Sequence, residues 1–558
     1  MKNKKRLLVV VIVLSICFRL WLLASSNWRL IINSYYDSHL QINEAISLLK
    51  GHWLGAYNKY TLCKNISYPV FLFVLNILHL PYYIGMGLLI SFSSALFVKA
   101  IKPICKNKTV QCIIFIFLIF NPVGFNQEAL YHYRNSLIPW VVLIVISCIT
   151  GIYLRKDKNV KELLPYGIIG MFFTGFYWLL REDSIWFLPF ILMAFLMTIF
   201  SYIKSKDKVK IVIKKSIVSF MPMFGIILSV VVISTINYFV YGVFATNDRT
   251  SSYEAKVLGQ LVLIDDGTDL DKDVWVSDKA LKLASKASPS FSKLDLEAFN
   301  SWSKHGDYSI WALRDAASNV GYYKDGKTTN EMYKKIYLEL KDGFKKGKLK
   351  RKKAIKLSDT SGVFSVKEFV KPIPIMFHSL YNHSIYSFDN VVDENIDTPN
   401  DVASIEKYEL VLKINLLRSD DVLSKGNADF RRITLNNNLK RSLRINKMIS
   451  NSIIFIYKIT GLVLLVLSLI IYVINMFKEK KEKNSDILLI MTGLLLTIFL
   501  NSYLVGLWGV GFNLSADDGL FSSYTTAQTI MIGLFEVLSI ILFLKQSKNK
   551  FVKKYIQC

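Results

Sequence analysis

Apolar runs about as long as a bilayer is thick recur along this chain, and no other feature narrows its fold as sharply. Crossing roughly 30 Å of hydrocarbon takes about 20 mostly apolar residues in a helix. Such runs lie near 7–24, 80–98, 110–125, 137–154, 163–180, 184–203, 217–241, 452–477, 487–508 and 524–544. In hydrocarbon, a helix satisfies its own backbone N–H and C=O groups. The runs are continuous in Leu, Ile, Val and Phe rather than alternating, which is a helical pattern. The expectation is an all-α polytopic membrane protein with about ten transmembrane helices. A shorter apolar stretch, Tyr68 to Leu80, is too short to cross and is expected to lie at the outer interface or dip into it.

Charge gives the runs a direction. The net charge is +27, from 69 Lys and Arg against 42 Asp and Glu. In a soluble protein that excess would suggest nucleic acid. Here much of it sits at the ends of apolar runs, so the expected partner is the lipid bilayer and not nucleic acid. Basic residues crowd alternate short loops: 99–108, 155–161, 204–215, 478–483 and the tail 545–554. The intervening short loops hold Arg134 and Arg181, and none between 509 and 523. By the positive-inside rule both termini are cytoplasmic. The expected location is a plasma membrane, crossed many times, in a bacterium. The basic start followed by Leu7–Leu23 resembles a signal peptide, but its length and the spans that follow favour a retained first helix.

Three parts follow. Residues 1–242 form an N-terminal transmembrane module of about seven spans, with a long first outer loop at 25–67. Residues 243–449 form an extracytoplasmic domain, expected to be mostly helical. Met332, Ile336, Leu340 and Phe344 recur every fourth residue along one helix face, and 294–299 and 308–323 also read as helical. Residues 450–558 form a C-terminal module of about three spans. None of the six cysteines falls in 243–449, and none is spaced as CxxC, so neither internal disulfides nor a cysteine zinc site is expected there.

Polar residues at the outer ends of the spans are where chemistry would sit. Asp37 follows the first span within the outer loop, and His39 lies beside it. A carboxylate there can accept a proton from a hydroxyl, bind a cation or hold a loop. Gln127 and Glu128 follow the third span. Arg181, Glu182 and Asp183 form the whole turn between spans five and six, more charge than a turn requires. Arg181 and Arg134 suit the phosphate of a lipid head, because a guanidinium forks onto phosphate oxygens. The neighbouring acids suit proton transfer or a divalent cation. The bland alternative is that short loops need polar residues. Arg19 lies inside the first apolar run, near its outer end, where a snorkelling anchor and a functional charge are both open.

Several of these residues resemble the GT-C class of polytopic glycosyltransferases, which includes the protein O-mannosyltransferase type and the lipid A aminoarabinose transferase type. The carriers are Asp37 after one long helix, Tyr68-Pro69 opening the next apolar stretch, and Gln127-Glu128 at the next outer loop. Asp37-Ser-His-Leu40, Gly51-His-Trp-Leu-Gly55, Arg181-Glu-Asp-Ser-Ile-Trp186, Trp311-Ala-Leu-Arg-Asp-Ala316 and Gly321-Tyr-Tyr323 are similar to an uncharacterised bacterial membrane protein group of that class. The resemblance implies a polyprenyl-phosphate-linked sugar as donor and a cell-envelope glycan, lipid or protein as acceptor. It implies Asp37 and Glu128 as catalytic acids, with Arg181, Glu182, Asp183, Arg134, His39 and Tyr68 binding substrate. It implies no cofactor and no metal site, a divalent cation being the one addition left open. Two features depart from the class. Asp37 is followed by Ser38 rather than a second acid, and the large polar block lies between spans seven and eight rather than at the C-terminus.

Two other functions compete. A cell-surface polysaccharide polymerase or ligase has a similar span number and one large outer loop, and would depend on outer-loop arginines rather than Asp37. A lipid or solute transporter, not an enzyme, would show repeat symmetry and polar breaks near the bilayer midplane; neither is evident in this sequence.

Overall fold

The structure is a computed structural model that describes residues 2–26, 36–125, 130–205, 207–268, 274–301, 306, 308–388, 397–399, 402–414, 422–425, 428–432, 437–478, 482–510, 515, 517 and 519–546. Gln127 and Glu128 lie outside them.

The first half runs α1 (Lys2–Ala24), α2 (Ser38–Leu49), α3 (Ser67–Ile77), α4 (Tyr82–Ala100), α5 (Lys108–Ile119), α6 (Ile138–Tyr153), α7 (Val160–Trp178), α8 (Leu188–Ile203) and α9 (Val209–Tyr241). The polar block holds α10 (Asp248–Ser251), α11 (Tyr253–Leu261), α12 (Asp278–Ala287), α13 (Leu296–Ser301), α14 (Tyr308–Asn319) and α15 (Gly326–Lys345). It continues with β1 (Ile355–Lys356), β2 (Val363–Phe364), α16 (Pro372–Ile385), β3 (Asp397–Pro399), α17 (Val402–Leu412), β4 (Val422–Lys425) and β5 (Ala428–Arg432). The chain closes with α18 (Asn437–Phe477), α19 (Glu482–Val510), α20 (Gly519–Thr525) and α21 (Ala527–Gln546). Strands are few and short: an antiparallel pair β1–β2 and a three-stranded sheet in the order β3-β5-β4.

Among the described residues, nine helices are long and apolar enough to cross a membrane. The tenth run is present as α7, a 19-residue helix, but it falls short of the others in apolar character. It carries Lys161 and Glu162 in its first turn, Pro165 inside, and glycines at 167, 170 and 175. Those glycines serve packing. A Cβ at Gly175 would meet the Gly225 carbonyl oxygen at 2.6 Å, and one at Gly225 would meet the Met171 carbonyl oxygen at 1.9 Å. Backbone meets backbone along the α7–α9 seam, as small residues permit between membrane helices. The stretch after Tyr68 is the 11-residue helix α3, too short to cross.

The bundle has two distinct ends. At one end the basic loops tie together: Arg155 donates to the carbonyls of Lys99 at 2.7 Å and Ala100 at 2.8 Å. There too Lys156 pairs with Asp486, and Lys215 with Asp207 at 2.6 Å. At the other end gather the loop after α1, the entry to α6, the α7–α8 turn and the polar block.

Within the polar block, α11 to α15 enclose an apolar core that includes Met332, Ile336 and Leu340, with Phe344 packed at its edge. Leu40 and Cys63 of the first loop belong to the same core. The rest of the block returns to the helices. On α16, the His383 ring is bonded to Thr529 at 2.9 Å and Thr525 at 2.8 Å. Beside α17, Asn76 of α3 donates to the Leu410 carbonyl at 2.9 Å.

Arg19 does not snorkel. It is wholly buried, donates to the Gly124 carbonyl at 2.8 Å and lies 4.0 Å over the Phe125 ring. Packing against the turn after α5 holds it inside the protein rather than at an interface.

Candidate functional site

The described part of the first loop carries the helix α2. Asp37 stands at the N-cap of α2 but makes no capping bond there. Its Oδ1 instead accepts from Lys64 Nζ at 2.9 Å and from the Tyr133 hydroxyl at 2.8 Å. Lys64 is buried at 5% exposure while the Asp37 side chain remains 46% exposed, so the pair has a wet face and a dry face. Burial alone would raise the Asp37 carboxyl. The Lys64 ammonium, the Tyr133 hydroxyl and the charge of Arg134 outweigh it and bring the group to about 2.

From Tyr133 the network runs inward. Its hydroxyl accepts from Arg134 Nε at 3.1 Å. Arg134, 4% exposed, pairs with Glu182 at 2.8 Å and donates to the Leu180 carbonyl at 3.3 Å. The same Glu182 oxygen accepts the Asn65 backbone N–H at 3.1 Å. Burial works to raise Glu182, but Arg134 and then Lys64 hold it well below the usual carboxylate range. One charge network therefore draws on the first loop, the entry to α6 and the α7–α8 turn.

Arg181 extends it. Its guanidinium grips Asp183 with two bonds, at 2.7 and 3.1 Å, and donates to Asn135 Oδ1 at 2.7 Å. Its plane lies 3.8 Å over the ring of Tyr524, on α20. Three of its five N–H groups are engaged in these bonds. Together the three ion pairs hold three cations and three anions.

Two acidic or amide groups on α2 stand apart. Asp37, Gln41 and Glu44 fall at i, i+4 and i+7, one stripe of the helix. Among the described residues, both polar atoms of Gln41 and both carboxylate oxygens of Glu44 are buried without a hydrogen-bond partner. Burial pushes the Glu44 carboxyl well above its ordinary value, against the pull of Arg134 and Lys64.

The polar block clamps this site from outside through α14. Trp311 stacks on Tyr36 at 4.6 Å and lies 5.2 Å under the Lys64 ammonium. Arg314, 1% exposed, pairs with Asp248 at 2.6 Å and Glu254 at 3.0 Å and reaches the Thr61 carbonyl at 3.2 Å. Asp315 takes Tyr36 at 2.9 Å and Lys59 at 2.8 Å.

No family model matches this chain, and neither does any curated protein or solved structure.

Asp37, Arg134 and Glu182 stand in one connected network, and Arg181 with Asp183 adjoins it through Asn135. Glu128 is outside the described residues. His39 is buried with its ring edge-on to Tyr408 at 6.5 Å, on the α17 side of the helix. Tyr68 is wholly buried; its hydroxyl meets that of Tyr82 at 3.4 Å, which in turn meets Ser136 at 2.8 Å. Its contact with the site therefore runs through the strut beneath Tyr133. Among the described residues no group of three His, Cys, Asp or Glu side chains is arranged to hold a metal ion.

Sequence reading passed over Lys64, Tyr133, Asn135, Glu44 and Tyr524. Lys64 carried no distinguishing signal, since the same loop also holds Lys50 and Lys59. The others are ordinary residues whose role depends on what lies opposite.

Proposed function

We propose that this chain is a membrane glycosyltransferase that moves a sugar from a polyprenyl-phosphate donor to a hydroxyl acceptor at the outer face of a bacterial plasma membrane, with both termini cytoplasmic. One observation carries the reading: acids and arginines from three separate loops converge in a single charge network at one end of a bundle of membrane-length helices.

The reaction breaks the bond between the sugar's anomeric carbon and the phosphate oxygen, and negative charge grows on the departing phosphate. The guanidinium charges of Arg181 and Arg134 oppose that growth, the kind of preorganised electrostatics that contributes most to catalysis in many enzymes. Asp37 orients the acceptor hydroxyl. At about 2 it is a weak base, so it takes the proton late, once the new bond has made that proton acidic. A tail-sized crevice of about 270 Å³ runs between α6, α8 and α19, lined by Thr150, Phe190, Met193, Gly493 and Leu496 among others. It begins one short turn beyond the Arg181–Asp183 loop and suits an isoprenoid chain.

The test is to incubate purified protein with radiolabelled polyprenyl-phosphate sugars and measure transfer or hydrolysis. Asp37→Asn should lower the rate on the order of 10²-fold or more, while costing no more than about 1 kcal/mol of stability. Activity that survives Asp37→Asn intact would refute the reading and favour a polymerase or ligase that works through arginines.

A further inference from the structure

A second cleft, of about 250 Å³, lies between the β1–β2 hairpin and the end of α19. Its walls come from both parts of the protein: Trp275, Lys352 and Glu368 from the polar block, and Trp508 from the last turn of α19. The lining is mixed. Two indoles line it, and Ser361, Lys352 and Glu368 are among its polar residues. A sugar ring needs that combination, with C–H faces to lay on an aromatic ring and hydroxyls to satisfy at its edge. The volume is slightly below the ~300 Å³ at which small-molecule pockets begin, which suits a ring or two and not an extended chain.

The polar groups differ in how they are held. Glu368 accepts the Ser365 backbone N–H at 2.7 Å as part of a capping box. The Lys352 ammonium makes no ion pair or side-chain hydrogen bond among the described residues, whereas its neighbour Lys350 reaches Asp265 at 3.5 Å. Asp266 and Asp265 favour its charge from nearby without pairing with it, so this half-buried cation can still take an anionic group that enters the cleft. Gly362 matters for shape. A Cβ there would come 3.0 Å from Trp275 Nε1, so the hairpin backbone can lie against the indole only because this residue is glycine.

The cleft is also connected to the charge network. Trp508 packs on Tyr524 with ring centroids 4.6 Å apart, and Tyr524 carries the Arg181 guanidinium at 3.8 Å. Two stacked rings separate this cleft from the arginine beside Asp183.

We propose that this cleft binds a sugar ring bearing an acidic substituent, the acceptor end of an anionic glycan, with Trp508 and Trp275 as platforms and Lys352 on the acid. This deepens the transferase reading by naming the acceptor's chemistry and rests on it for that role, but binding itself is measurable without any transfer. The experiment is calorimetry and saturation-transfer NMR on the full-length protein in detergent, with three probes: a tri-uronate oligosaccharide, a neutral trisaccharide and glycerol phosphate. The tri-uronate should bind saturably, the neutral sugar roughly tenfold or more weaker, and glycerol phosphate more weakly still. Lys352→Gln should weaken the tri-uronate roughly tenfold while leaving the neutral sugar unaffected. Trp508→Ala should remove both sugars, and Trp508→Phe, which keeps a ring on Tyr524, should restore part of the binding. Gly362→Val should weaken both.

No saturable sugar binding overturns the proposal, as does equal binding of neutral and acidic sugars, or glycerol phosphate binding that ignores Trp508. Transfer activity in which Lys352→Gln and Trp508→Phe leave the acceptor KM unchanged also overturns it. Tri-uronate binding with these variant effects, in a protein that transfers no sugar, keeps the cleft and discards the transferase reading.

Discussion

Removing Arg134 tests whether the charge network holds the two halves of the site together. The side chain is buried, and it bonds Glu182, the Tyr133 hydroxyl and the Leu180 carbonyl. Arg134→Met keeps most of its length and deletes the charge. It leaves Glu182, 11% exposed, as an acid with its main partner gone. Breaking a buried pair from one side typically costs about 3–5 kcal/mol. The Asn65 N–H still reaches Glu182 and Lys64 still acts on it, so the lower end, about 3 kcal/mol, is expected. Glu182→Gln keeps an oxygen for the same donors and should cost less, about 1–2 kcal/mol. With both changes made, neither charge is stranded. The double variant should be more stable than the sum of the singles by about 1–3 kcal/mol. Unfolding can be followed in mixed micelles with a thiol-reactive dye, because Cys63, Cys105, Cys112 and Cys148 are buried. Exposed Cys17 and the terminal Cys558 are first changed to Ser. An Arg134→Met midpoint equal to wild type, or strictly additive singles, would show that the pair is not what joins these loops.

Other predictions are independent of that pair. Asp37 sits at about 2 against 3.8 for the free side chain. Its contribution is therefore complete above pH 3.8 and lost as the pH falls through 2; with the carboxylate half-exposed it amounts to no more than about 1 kcal/mol. The midpoint gap between wild type and Asp37→Asn should be present at pH 5 and close toward pH 2. Glu44 is shifted the other way, raised above 4.5, so its burial becomes a growing liability as the pH rises past that value. Glu44→Gln should match wild type near pH 5 and exceed it in midpoint by pH 8; a gap that does not change with pH would count against a buried neutral acid. Gly225→Ala would set a Cβ 1.9 Å from the Met171 carbonyl oxygen and should lower the midpoint by about 1–3 kcal/mol through forced separation of α7 and α9. Gly519→Ala, with open space around it, is the matched control.

The helices were legible because a bilayer selects for length and apolarity, which are local properties. The α15 face at Met332, Ile336 and Leu340 was legible for the same reason, as a period along one helix. Where a helix gives up apolarity for packing, the local signal fades. The run at 163–180 becomes α7, which trades Leu and Ile for glycines that only α9 explains. Arg19 was ambiguous because one charge near a span end reads alike whether it faces lipid headgroups or the turn at Gly124.

The sequence by itself determined that this chain is helical, apolar in membrane-length segments, and polarised between short loops crowded with basic residues and short loops that hold few. Those properties follow from residue content within a window, since each helix satisfies its own backbone. Only the tertiary structure decided that Asp37 meets Lys64 and Tyr133, that Glu182 bridges Arg134 and Asn65, and that Trp508 and Tyr524 lead from a cleft to Arg181. Side-chain partnerships across many tens of residues depend on how helices rotate and tilt against one another. Many small packing contacts set that rotation together, and no stretch of sequence carries it alone.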